Sequence, residues 1–262
     1  MSARICADWL SPVAVRQSGR RRSPRGKVRA VSVPVRTNPV FDRLLGDAVP
    51  ALLAGSHRQD EPPVDGGRWP VSAVCIPDEP TRDALTGLMH EALHYAGPGH
   101  FETGRSDASH FTVRALEPYR EAASPKDPIT DDWIAALEEV GRESPPIRLR
   151  LTGVTLSISA VMIQSEPVGD EPWELMQRLR AVLGPLAWFE DQRDIWYSSV
   201  LHFAAPIRDA PGLIDWAKAR RSTLTHYIVL DALTLTRFRY RASGGRRHMA
   251  MERWHSVDLT PE

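Results

Sequence analysis

One tripeptide occurs twice in the chain, each time at the same distance from a histidine in a strand-like run. Asp78-Glu79-Pro80 begins 32 residues before His110, and Asp170-Glu171-Pro172 begins 32 residues before His202, so the two copies are displaced by 92 residues. Each tripeptide suits a helix start: Asp can cap, Glu favours the positive end of the dipole, and Pro is tolerated in the first turn. The histidines sit in Ser109-His110-Phe111-Thr112-Val113-Arg114-Ala115-Leu116 and Ser199-Val200-Leu201-His202-Phe203-Ala204-Ala205-Pro206. Read with period two, the first run points Phe111, Val113 and Ala115 to a core and His110, Thr112 and Arg114 to the other face. A repeat of this size constrains the fold more than any single motif, because strand, capped helix and histidine strand must be built twice.

The rest of the chain follows that frame. Val71 to Ile76 reads as a buried strand, and Glu79 to Ala96 as a helix with the apolar stripe Leu85, Leu88, Met89, Ala92 and Ala96, closed by Gly97-Pro98-Gly99. Thr130 to Val140 is a helix capped by Asp131 or Thr130; Ile147 to Leu151 and Val154 to Gln164 are strands. Glu171 to Leu183 matches the earlier helix, Ile195 to Phe203 is the second histidine strand, and Pro211 to Arg220 is a helix. Leu224 to Tyr240 and Arg247 to Trp254 form a hairpin about Ser243-Gly244-Gly245. The closing half echoes the first as well: Asp132-Trp133 recurs as Asp215-Trp216, and Leu151 to Leu156 as Leu230 to Leu235. The expected class is α+β, a bilobal duplicated fold of two mostly antiparallel sheets with outer helices and a central groove.

Charge divides the chain of 262 residues unevenly. Nine basic residues stand against Asp8 in residues 1–36, so with a formal net charge of zero the remainder carries −8. A mildly acidic body argues against sequence-independent nucleic-acid binding by the folded part, which needs a basic surface. Residues 1–69 read as a basic, largely disordered tail and a polar linker, with a short helix over Phe41 to Leu53; 70–256 is the bilobal domain and 257–262 a C-terminal tail. Cys6 and Cys75 suggest neither a disulfide framework nor a thiolate metal site and suit a reducing, cytoplasmic setting. No run reaches the length of a membrane span, and Arg20-Arg21-Arg22 has no apolar stretch behind it, so it does not read as a secretory signal.

Two histidine strands in a duplicated α+β chain resemble the 2H phosphoesterase superfamily, which includes 2′-5′ RNA ligase-like and cyclic phosphodiesterase proteins. The resemblance covers roughly residues 70–255. His110-Phe111-Thr112 matches the family's His-x-Thr/Ser motif; His202-Phe203-Ala204 keeps the histidine but has Ala204 where the family has a hydroxyl. The resemblance implies a metal-independent phosphodiesterase without cofactor, acting on a nucleotide or RNA end with a 2′,3′-cyclic or 2′-5′-linked phosphate. His110 and His202 would be the proton carriers and Thr112 a donor to phosphoryl oxygens. Arg114 is the candidate for charge neutralisation, and Tyr197 or Trp196 could stack on a base. A non-catalytic nucleotide-binding module is the alternative that Ala204 keeps open. No membrane contact and no obligate protein partner is indicated.

One motif competes. His90-Glu91-Ala92-Leu93-His94-Tyr95-Ala96-Gly97-Pro98-Gly99-His100 fits the zinc pattern of metzincin proteases, with His90, His94 and His100 as ligands and Glu91 activating water. The duplicated helix carries Val182, Leu183 and Leu186 at the positions of His90, Glu91 and His94, so the repeat accounts for this helix without zinc. Only one short strand is expected ahead of it, and no Met-turn is evident. The zinc hydrolase therefore stands as the alternative to the two-histidine enzyme.

Overall fold

The computed structural model describes residues 38–190 and 193–260. The expected disordered basic tail, with Cys6, lies outside the described residues up to position 37. In chain order the elements are α1 (Pro39–Leu53), β1 (Val71–Cys75), α2 (Glu79–Ala96), β2 (Phe101–Glu102), β3 (Phe111–Glu117), α3 (Pro128–Arg142), β4 (Ile147–Leu156), β5 (Ala160–Pro167), α4 (Glu171–Leu183), β6 (Trp196–His202), α5 (Ala210–Ala219), β7 (Tyr227–Leu230), β8 (Ala232–Ser243) and β9 (Arg246–Asp258). A short 3₁₀ turn, Gly184–Ala187, follows α4.

The matched helices start and stop for different local reasons. Asp78 caps α2 by accepting from Thr81 N–H at 3.1 Å, and Gly97, at φ 88°, ends it in a conformation other residues avoid. All five residues of the expected stripe are buried. Asp170 makes no side-chain cap: its own backbone is helical (φ −97°, ψ −14°), which takes the carboxylate away from the first-turn N–H groups. Glycine at 184 stops α4 five residues short of its counterpart, and Leu186 falls in the 3₁₀ turn. Asp127, not Asp131 or Thr130, stands at the N-terminus of α3, and its carboxylate is drawn to Arg120 at 2.6 Å instead of capping.

The strand order is β3-β1-β8-β9-β2-β6-β5-β4-β7. Within it, β3-β1-β8-β9 and β6-β5-β4-β7 are two four-strand groups in which neighbours pair antiparallel. Where two sheets were expected, the two-residue β2 joins the groups into one hydrogen-bonded ladder, parallel to β9 on one side and antiparallel to β6 on the other. The pairing scheme of the groups is alike: β1 lies between β3 and β8 as β5 lies between β6 and β4. The helices cover a continuous apolar core built from strand residues such as Val71, Phe111, Leu151, Ile163 and Leu201.

Three boundaries differ from the sequence reading. The run Val154 to Gln164 is not one strand; it turns at Ser157–Ser159, where Ser157 N–H donates to Ala160 O at 2.9 Å, and the exposed Ile158 at the tip disguises the turn. The expected first arm of the closing hairpin, Leu224 to Tyr240, is two strands: β7 pairs with β4, and only β8 pairs with β9, in a hairpin that extends past Tyr240 and Trp254 and turns through Gly244 and Gly245, both at positive φ, as a two-residue hairpin loop requires. Residues 38–69, read as the end of a tail, a short helix over Phe41 to Leu53 and a linker, pack on the body: the helix is present as α1, and Phe41, Ala48, Leu52, His57, Asp60 and Trp69 are all buried. The stretch 257–259 is likewise held, with Leu259 buried and its N–H donating to Asp231 O.

Candidate active site

His110 and His202 line one cavity of about 510 Å³, within the usual size of a small-ligand site. Thr112, Tyr197 and Ser199 line it too, with Arg68, Trp69, Thr103, Glu190, Arg193 and Phe238.

Each histidine is anchored through Nδ1. His110 precedes β3 and donates from Nδ1 to Ala108 O at 2.8 Å, with its ring stacked on Phe238 at a centroid distance of 4.7 Å. His202 ends β6, where its backbone pairs with Phe101 on one side and Ala160 on the other. Its Nδ1 lies 3.0 Å from Asp60 Oδ2. Neither Nε2 has a hydrogen-bond partner among the described residues, so each ring keeps one nitrogen for a ligand. Burial drives His110 down to about 4, opposed by the bond to Ala108 O and assisted by Arg193 and His202. Burial also lowers His202, with the Asp60 carboxylate opposing and Arg68 and Arg58 assisting. Burial would raise Asp60, but His202, Arg68 and Arg58 outweigh it and hold the carboxyl below its ordinary range.

The depressed His110 has a consequence for stability. Folded His110 stays neutral to about pH 4, whereas the unfolded imidazole takes a proton near 6.5. Its contribution is complete above pH 6.5 and is lost as pH falls towards 4, because the unfolded state then binds more protons. Urea midpoints measured from pH 7.5 to 4 should fall through this window, and less steeply in His110→Asn.

Bulges decide which side chains reach the cavity. The β1–β3 register passes from Ala73↔Arg114 to Val74↔Thr112, leaving Val113 as an extra residue. Thr112 and Ala115 therefore share the cavity face, and Arg114 turns away. Arg114 is buried and donates to Ala187 O at 2.7 Å and to Glu190 O; the expectation that it neutralises charge in the groove is corrected by this bulge. Among the described residues the cavity cations are Arg68 and Arg193. Arg68 Nη1 lies 2.6 Å from both oxygens of Asp60, while Arg193 pairs with Glu190 at 2.7 Å and donates to Tyr197 Oη at 3.3 Å.

The β5–β6 register shifts as well, from Val161↔Leu201 to Met162↔Ser199. Regular alternation would turn Ser199 away from His202; the extra residue, Val200, puts both on the cavity face. Ala204 does not line the cavity. It packs beside the cluster of Trp69, Val74 and Phe101, and its N–H donates to His100 Nδ1 at 3.2 Å. Thr103 and Ser199 line the cavity on this side; the Thr103 hydroxyl donates to Ser199 O at 3.0 Å, and Ser199 offers its own hydroxyl. Trp196 is buried against Trp173 in the core, and Tyr197 is the member of that pair that faces the cavity.

The zinc constellation does not assemble. His90 and His94 are exposed on α2, whereas His100 is buried, donating from Nε2 to Ala96 O at 3.1 Å and accepting from Ala204 on Nδ1. Both of its nitrogens are used by the backbone. Glu91 accepts from Trp216 Nε1 at 2.9 Å and pairs with Arg220 at 2.6 Å. Among the described residues no three His, Cys, Asp or Glu side chains are grouped to hold a metal ion.

Asp60, Arg68, Arg193 and Ser199 were not singled out for these places from sequence. Asp60 sits in a stretch with no periodicity, 142 residues from its partner. Trp69, beside Arg68, has φ 68°, an unusual value for a bulky residue, and its ring meets Phe101 edge-on at 5.2 Å. The loop, whose Gly66 to Trp69 line the cavity, is pinned by Tyr119, whose N–H donates to Gly67 O at 3.0 Å and whose carbonyl accepts from Gly66 at 2.8 Å.

No protein-family model and no curated protein matches the sequence. Among solved structures, TT0787 of Thermus thermophilus superposes with a TM-score of 0.54 at 16% identity, covering 73% of this chain and 98% of that one. The fold is that of TT0787. A structure described as a phosphoesterase (TM-score 0.48, 13% identity, 74% of this chain and 99% of that chain) also matches. So does Escherichia coli LigT in complex with NADP+ (0.46, 14%, 77% and 99%). Among the described residues no helix is long and apolar enough to cross a membrane.

Proposed function

We propose that the chain is a phosphodiesterase that opens 2′,3′-cyclic nucleotide phosphates or cleaves 2′-5′ linkages with His110 and His202. One observation carries this: two imidazoles, from strands holding equivalent places in the two four-strand groups, meet in one cavity with Nδ1 anchored and Nε2 unengaged. A neutral imidazole takes a proton from the attacking water as its oxygen bonds to phosphorus. A protonated one gives a proton to the ribose oxygen as the P–O bond breaks. Histidine serves both ends because its ordinary pKa, near ~6.5, is movable in either direction. Thr112 and Ser199 hydroxyls donate to the non-bridging oxygens, and Arg68 and Arg193 offset the developing charge. Tyr197 and Phe189 offer ring faces to a base.

A non-catalytic nucleotide-binding module rests on Ala204 alone, and Ser199 answers the loss of a hydroxyl there. The experiment is turnover of a panel of nucleoside 2′,3′-cyclic phosphates with and without EDTA. Both proton transfers are assigned to imidazoles, so turnover is expected and the chelator leaves its rate unchanged. Binding without product would favour the module, and loss of activity in EDTA would restore a metal-dependent reading.

A further inference from the structure

We propose that Asp60, from the segment ahead of the duplicated strands, is a positioning residue that makes His202 the proton donor and leaves His110 as the proton acceptor. This rests on the phosphodiesterase reading and deepens it, because it gives two similar imidazoles different and fixed roles.

The two Nδ1 anchors differ in charge. His110 leans on a carbonyl, Ala108 O, while His202 leans on a carboxylate. The Asp60 side chain is only 4% exposed. It is held from three directions: by Arg68 at 2.6 Å, by Arg58 Nε at 3.2 Å and by its own N–H, which donates to Phe203 O at 2.6 Å. A carboxylate held this way cannot swing to solvent, so it orients the His202 ring and keeps the proton on Nδ1.

The charged and titratable groups facing His202 are Asp60, Arg58 and Arg68 from this segment and His110 from across the cavity, where Arg193 faces His110. Around His202 the guanidinium groups of Arg58 and Arg68 offset the one carboxylate of Asp60. A phosphate anion changes this balance unequally. The His202 ring then has an anion on each side, Asp60 at Nδ1 and phosphate at Nε2, whereas His110 has one on a single side. The imidazolium is therefore better stabilised at His202. Water bonds to phosphorus and its proton goes to His110 Nε2. The P–O bond to the ribose oxygen breaks, and the proton on His202 Nε2 goes to that oxygen, so charge and atoms balance.

Two measurements on the full chain test this. The first is the pH profile of kcat on a nucleoside 2′,3′-cyclic phosphate for wild type, Asp60→Asn and Asp60→Glu, because kcat reports the groups of the bound complex. Asparagine can still accept from Nδ1, so the ring keeps its orientation and loses only the charge. The alkaline limb, set by the proton donor, should move about 1–3 units to lower pH in Asp60→Asn and partly return in Asp60→Glu, with the acidic limb in place. Movement of the acidic limb instead would make His202 the acceptor, and unmoved limbs would deny Asp60 its role; either result overturns the proposal. The second is ¹⁵N NMR of the His202 ring, which needs no turnover. His202 should titrate at lower pH in Asp60→Asn than in wild type, and identical titrations overturn the proposal. A shifted titration in a protein that turns over no cyclic phosphate would leave Asp60 in place and sink the substrate reading.

Discussion

His110→Ala and His202→Ala, made separately, should each lower kcat on a nucleoside 2′,3′-cyclic phosphate by about 10²–10⁴-fold, the usual worth of a positioned general acid or base. KM should change far less, because neither Nε2 is needed to seat the ribose or the base. The two losses should not multiply: without one imidazole the other has no partner step to complete, so His110→Ala/His202→Ala should fall little below the worse single variant. The fold should survive, since both rings stand at strand ends at a cavity wall and not in the main core. Full activity in either single variant would remove that residue from the reaction.

The second large effect is expected at the hydroxyls. Thr112→Val keeps the shape of the side chain and removes its donor; Ser199→Ala does the same on the opposing strand. Each should cost about 10²–10³ in kcat if it holds a non-bridging oxygen as charge develops there. Ala204→Ser should restore nothing to Ser199→Ala, because position 204 does not line the cavity and its N–H is already bound by His100. Activity recovered by serine at 204 would show that β6 is regular in solution and that the bulge at Val200 is not maintained.

What was legible in the sequence is what local chemistry dictates. The bounds of α2 and α4 follow from the Asp-Glu-Pro starts, the glycines after them and an apolar stripe, and both are found at Glu79–Ala96 and Glu171–Leu183. The two histidines, Thr112 and Tyr197, singled out on two strand-like runs, line one cavity. Arg114 was misplaced and Ser199 passed over because period-two reading assumes a regular strand, and nothing in Thr112-Val113-Arg114 or Ser199-Val200-Leu201 marks an extra residue. Asp60 and Arg68 were read as linker because a polar stretch carries no period, and its order comes from Phe203, Ile158 and Tyr119, far along the chain. The zinc pattern shows the converse failure. Its spacing is locally complete, but tertiary bonds to Ala96 and Ala204 take the third imidazole out of reach.

The central claim is that one phosphorus sits between His110 and His202, and the most direct test is a crystal structure with the product of cyclic-phosphate opening, a nucleoside 2′- or 3′-monophosphate, bound. The phosphate should lie within hydrogen-bond distance of both Nε2 atoms, with the Thr112 and Ser199 hydroxyls on its other oxygens. A phosphate held by only one of the two imidazoles, or seated outside the cavity, would contradict it.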